Sequence, residues 1–98
     1  KTASSSELEF FVLMARHGSL SAAARALDIT PPAATWRLAA IEERLGVRLV
    51  NRNTRKISLT SEGEIYLLHA TRLLAELHEM DEIVSSSRQA PRGLLRVN

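Results

Sequence analysis

The chain contains no cysteine among its 98 residues, which excludes a disulfide framework and thiolate metal ligation and suits a cytoplasmic protein. It has no run of eighteen apolar residues, so no segment is expected to span a membrane. No basic stretch followed by an apolar core opens it, so no signal peptide is expected. A Gly-rich phosphate loop and a Ser–His–Asp order are both absent, and with them any constellation that would make an enzyme. His17, His69 and His78 have no i,i+4 histidine partner and no acidic cluster at ligand spacing, so no metal and no other cofactor is expected in this domain. What remains is 45% hydrophobic, enough for one globular domain with a modest core.

The net charge of +2 is small but unevenly placed. Residues 1–36 balance. Residues 37–56 carry Arg37, Arg44, Arg48, Arg52, Arg55 and Lys56 against Glu42 and Glu43, a net of +4. Residues 57–84 hold only Arg72 against six acidic groups, a net of −5, and Arg88, Arg92 and Arg96 follow. A basic centre beside an acidic helix fits a molecule with one end on phosphate, although two ordinary solvated faces would give the same asymmetry.

Residues 19 to 60 form the most informative stretch. Ser6 and Glu9 have the spacing of a capping box, and Leu8, Phe11, Val12 and Ala15 recur at helical intervals up to Gly18. This predicts a first helix over residues 7–17. Ser19 or Ser21 caps a second helix that ends near Leu27, with the small residues Ala23 and Ala24 turned inward so that another helix can approach closely. Asp28 falls where the chain must turn. Thr30 caps a third helix, Pro31 occupies its first position, and Gly46 ends it. Ala34, Leu38, Ile41 and Leu45 form its predicted buried stripe; Pro32, Trp36 and Glu43 lie opposite. The runs Arg48–Val50 and Lys56–Leu59 predict a small hairpin around Arg52, Thr54 and Arg55.

Thr60 caps the last predicted helix, whose apolar residues Tyr66, Ala70, Leu73, Leu77, Met80 and Val84 are spaced 4-3-4-3-4. That is a heptad seam. At 1.5 Å per residue the helix is about 40 Å long, longer than so small a domain is wide, so a partner helix is expected on its distal half. The proximal seam residues could instead pack on the domain's own first helix. The fold class is therefore mainly α: a winged helix-turn-helix, made of a three-helix core plus a small β-hairpin wing, followed by a long linker and dimerisation helix. The expected domains are residues 1–59 for DNA binding, 60–87 for the linker helix, and 88–98 for a hinge and the first strand of a further domain.

Gly18, Ser19, Ala22, Ala23, Ala24, Leu27, Thr30, Pro32, Ala33, Thr35, Glu42, Leu45, Gly46, Leu49, Arg52, Thr54, Arg55, Leu59, Thr60 and Gly63 stand in one register. In that register the chain resembles the N-terminal DNA-binding domain of LysR-type transcriptional regulators. The resemblance implies that helix 3 enters the major groove of promoter DNA and that wing residues grip phosphate or the minor groove. It also implies homodimers through the linker helix, tetramers of the full-length bacterial protein, and a small-molecule co-inducer bound in a separate domain built like a periplasmic binding protein. The chain departs from the family pattern at Pro31, Ala34, Trp36 and Val50, so base specificity cannot be carried over from relatives.

The expected DNA-binding residues are Ser21, Arg25, Thr30, Pro31, Pro32, Ala33, Thr35, Trp36, Arg37, Arg52, Thr54 and Arg55. Ser21 and Arg25 would touch the backbone as helix 2 crosses it. Thr30 would combine its cap with a phosphate contact. Trp36 lies opposite the buried stripe and has only one donor for a base edge, so it would pack on thymine methyls or sugars. Arg37 and Arg55 are suited to phosphate, while Arg52 could pair internally with Glu42 or Glu43. A helical protein–protein adaptor that uses the same surface, with Trp36 as its anchor, is the second reading.

Overall fold

The computed structural model describes residues 2–51 and 56–87. Its helices are α1 (Ser5–His17), α2 (Leu20–Leu27), α3 (Pro31–Leu45) and α4 (Ser61–Ser87). The predicted wing tip, with Arg52, Thr54 and Arg55, lies outside the described residues, as does the predicted strand over 94–97.

Short polar side chains start each helix. Ser19 Oγ accepts from the Ala22 amide at 3.0 Å and Thr30 Oγ1 from Ala33 at 3.2 Å, so Ser19 rather than Ser21 is the cap of α2. Thr60 Oγ1 accepts from Gly63 at 3.0 Å. Each satisfies an amide that the first helical turn leaves without a partner. The expected Ser6–Glu9 box does not form: α1 begins earlier, and Ser4 Oγ accepts from the Glu7 amide. Pro31 occupies the first position of α3, where no donor is needed. Gly18 and Gly46 close α1 and α3 in the left-handed region. Asp28 does the same for α2 at φ 59°, a conformation that Asp tolerates better than most residues.

The core gathers Phe10, Phe11 and Met14 of α1, Ala23 and Ala24 of α2, Ala34, Leu38 and Ile41 of α3, and Leu49 and Val50 beyond it. Phe10 and Met14 lie off the apolar face expected for α1. They are buried because α1 is covered by α2 and α3 as well as by α4. The buried side of α3 also differs from expectation: Leu45 is 38% exposed and Glu42 is buried at 7%. Glu42 Oε2 accepts from the amides of Leu49 and Val50 at 2.8 and 3.2 Å, a compensation that makes the buried carboxylate tolerable.

The wing base is shorter than the two expected strands. Among the described residues it is one antiparallel bridge, Val50 with Leu59, flanked by bonds from the Asn51 amide to Ser58 O and from the Thr60 amide to Leu49 O. The Ile57 amide donates to Gly18 O at 3.1 Å and so joins the wing to the end of α1.

α4 divides into two parts. Ala70 packs with Leu8 and Val12 in a second small core that Tyr66, Leu67 and Leu74 flank. Tyr66 also meets Phe11 edge to face, with ring centres 4.9 Å apart. The expectation that Tyr66 and Ala70 belong to a dimer seam is therefore corrected. Both are used by the chain's own α1, which lies across the proximal part of α4. Beyond Leu74 every residue up to Ser86 is exposed.

Candidate nucleic-acid interface

The turn between α2 and α3 contains few residues. The Ile29 amide donates to Ala24 O at 2.9 Å, and Thr30 already caps α3. Anchored through Ala34, Leu38 and Ile41, α3 leaves the opposite side uncovered. Pro31, Pro32, Thr35, Trp36 and Ala39 are all exposed there, Trp36 at 71%. The α3 amino terminus, with its partial positive charge, lies at the start of this face.

Thr30 is exposed, and its hydroxyl already accepts from Ala33; its proton remains available to an outside acceptor. Ala33 is half-buried and contributes less open surface. Ser21 and Arg25, one turn apart, share an exposed face of α2. Arg37 is exposed on the α1 side of α3, in a cleft of about 270 Å³ that it shares with Phe10, Trp36, Ala40 and Arg44. Among the described residues, Arg25, Arg37 and Arg48 take part in no ion pair, so their charges are open to a polyanion.

Two contributors were not legible as such. Arg48 is exposed at the base of the wing, beside a shallow groove that Ala39, Glu43 and Gly46 also line. Glu42 is buried, and the bonds that it accepts from the Leu49 and Val50 amides fix where the wing leaves α3. In the sequence it was marked only by its place in the family register and as a candidate internal partner for Arg52. Among the described residues no cluster of histidine and acidic groups is arranged to hold a metal ion, and no helix is long and apolar enough to cross a membrane.

The distal part of α4 presents the other conspicuous surface. Leu73, Leu77, Met80 and Val84 are 50%, 42%, 54% and 64% exposed. With Ala3 and Leu8 they line an apolar groove of about 590 Å³. Ile83 is also exposed along this groove, although it lies outside the heptad positions.

Comparisons with known proteins agree with this geometry. The sequence model of the bacterial regulatory helix-turn-helix protein, lysR family, matches residues 5–64. The chain is 36% identical over 91 residues to the HTH-type transcriptional regulator DmlR of Escherichia coli, covering 93% of this chain and 30% of that protein. It is 39% identical over 94 residues to the regulator CrgA of Neisseria meningitidis, covering 96% of this chain and 31% of the relative. It thus spans under a third of the length of these curated relatives. Among solved structures, the BenM DNA-binding domain in complex with catB site 1 DNA superposes with a TM-score of 0.84 at 26% identity, over 92% of this chain and 100% of that one. The CbnR DNA-binding domain in its DNA complex gives 0.75 at 33% identity, over 90% and 100%. The chain belongs to the lysR family of bacterial regulatory helix-turn-helix proteins, whose fold it carries from α1 into α4.

Proposed function

We propose that this domain binds double-stranded promoter DNA as a homodimer, with α3 in the major groove, the wing on phosphate or the minor groove, and the distal part of α4 against its copy. The observation that carries the reading is the uncovered face of α3. A helix whose inner side is locked in the core leaves Pro31, Pro32, Thr35 and Trp36 outward, at the start of a capped amino terminus. The similarity to two regulator domains solved with DNA supports it. Arg25, Arg37 and Arg48 supply phosphate-seeking charge, and Arg52, Thr54 and Arg55 belong to the same proposal by their place in the hairpin expected from the sequence.

Because Pro31, Pro32 and Trp36 are poor in donors, the base contacts are apolar and shape-based, favouring thymine methyls. The dimer reading rests on Leu73, Leu77, Met80 and Val84, four seam positions left exposed along a groove continuous with Leu8. In the whole regulator, which this chain covers in part, assembly to a tetramer and control by a small co-inducer outside this domain complete the proposal.

The test is electrophoretic titration of a duplex selected by this chain and of a random duplex, each over a range of salt. Affinity for the selected duplex should fall steeply with salt, with a log–log slope of about −0.9 per phosphate contacted. Equal affinity for both duplexes at every salt concentration would refute sequence-specific binding. The exposure of Trp36 favours one rival, a protein-binding adaptor. If Arg25→Ala and Arg37→Ala left DNA affinity untouched while Trp36→Ala abolished binding to a protein partner, the adaptor reading would replace this one.

A further inference from the structure

The two helices that define a dimeric DNA reader, α3 and α4, share no broad interface. α4 packs on α1, α2 on both α1 and α3, and α1 meets α3 over a narrower contact. The orientation of the reading helix relative to the dimer helix is therefore transmitted indirectly. One route is the wing base. Glu42 of α3 holds the amides of Leu49 and Val50, Leu49 O accepts from the Thr60 amide, and Thr60 Oγ1 donates to Arg48 O at 2.7 Å. Thr60 then caps α4.

The second route lies at the other end of α3. Arg44 Nη2, in its last turn, donates to Glu7 Oε1 of α1 at 2.7 Å. Both side chains are 21% exposed, so the pair is shielded from the solvent that weakens ordinary surface ion pairs. The Tyr66 hydroxyl of α4 is buried nearby and has no hydrogen-bond partner among the described residues. Burial first, and the Glu7 carboxylate second, push its phenol above the usual tyrosine range; Arg44 opposes the shift. Side chains of α1, α3 and α4 thus converge on one short charged bond.

We infer that Glu7 and Arg44, braced against Tyr66, are positioning residues that set the angle between α3 and α4 and thereby the spacing of the two half-sites that the dimer accepts. This rests on the dimeric DNA-binding reading above. Neither side chain need touch DNA. Geometry makes the joint consequential: a swing of about 10° across the 26 Å width of the molecule moves the far side by about 4–5 Å, whereas one base pair advances the duplex by about 3.4 Å. The same base pair also turns the half-site by roughly a tenth of a turn. Loosening the joint by so little lets the two α3 helices reach half-sites one base pair out of place.

The experiment uses the half-site that this chain selects from random duplexes, presented singly and as inverted pairs whose spacer grows one base pair at a time. The wild-type chain should prefer one spacing over its neighbours by at least about tenfold. Arg44→Met keeps the apolar stem and loses the charge, and Glu7→Gln keeps the shape; each should reduce that preference below about threefold while affinity for a single half-site changes by less than about twofold. Arg44→Lys should retain part of the preference, and Glu7→Arg combined with Arg44→Glu should restore it. Sedimentation and thermal unfolding identify variants that remain folded dimers. Such variants keeping the full spacing preference would overturn the inference. A wild-type chain that selects no half-site would instead remove the DNA-binding reading. One that binds every spacing equally would remove the rigid dimer, and the inference falls with either.

Discussion

The carboxylate of Glu42 lies within hydrogen-bond distance of two consecutive backbone amides, those of Leu49 and Val50, at 2.8 and 3.2 Å. An acidic side chain on the buried side of α3 therefore anchors the segment that leads into the wing. Glu42→Ala would strand two amides in a region that excludes water, and should destabilise the domain by about 3 kcal/mol in a urea titration. Glu42→Gln keeps an acceptor and should lose less than half as much. Equal losses in the two variants would show that a neutral acceptor of the same size cannot replace the carboxylate, so that its charge decides the effect.

Gly63 should tolerate no side chain. A Cβ built on it would overlap the carbonyl of Leu49, a backbone atom that cannot move aside. Gly63→Ala should therefore destabilise the fold by about 2–3 kcal/mol or more. At Gly18 nothing lies within 4 Å of the added atom, and only the left-handed backbone opposes substitution. Gly18→Ala should accordingly lose about 1 kcal/mol. Thermal unfolding of the two variants checks the order.

The two halves of α4 should respond differently to the same chemical insult. Leu77→Asp changes a 42% exposed position and should leave the helical circular dichroism intact while sedimentation reports a monomer. Ala70→Asp places a charge at a position 1% exposed, against Leu8 and Val12, and should unfold the chain instead. A folded, monomeric Ala70→Asp protein would return that residue to the intermolecular seam.

Tyr66 gives an alkaline signature. Its phenol is raised above 10.0 in the folded chain, chiefly by burial and then by Glu7. The folded state thus holds its proton more tightly than the unfolded state, and stability must fall as pH rises from about 10 toward the folded value. Urea titrations between about pH 8 and pH 11 should show this decline, and Tyr66→Phe should flatten it. An identical decline in the Phe variant would assign the effect to other groups.

Trp36→Ala should separate recognition from folding. At 71% exposure the indole contributes little to the core, so stability should stay within about 0.5 kcal/mol of the wild type. Affinity for the selected duplex should fall by about tenfold. Replacing thymine by uracil at the contacted step removes only a methyl group, and should weaken the wild type without affecting the variant.

Features set by short-range chemistry were legible in the sequence. Thr30 followed by Pro31, Thr60 three residues before Gly63, and Asp28 after Leu27 each solve a local problem of amide satisfaction or chain reversal, and the structure places them as expected. The first helix shows where that reasoning fails. Ser4 with Glu7 and Ser6 with Glu9 offer the same capping spacing, and the choice between them is coupled to Arg44, a residue 37 positions away. Glu42 and Leu45 stand on the same flank of α3. Which one turns inward depends on the amides of the wing base, which no helical period encodes. The heptad of α4 was legible as an apolar face, but its period does not distinguish a chain's own α1 from a second copy. For Tyr66 and Ala70 the occupant is α1.

The placement of Trp36 has an optical consequence. The only indole of the chain stands on the exposed face of α3, away from the core. Its emission already comes from a hydrated ring in the folded state, so unfolding should change its wavelength little, and a fluorescence melt of this domain would be nearly silent. Contact with stacked bases or sugars should instead quench it or shift it to the blue. The residue that makes intrinsic fluorescence a poor gauge of stability should make it a sensitive gauge of docking.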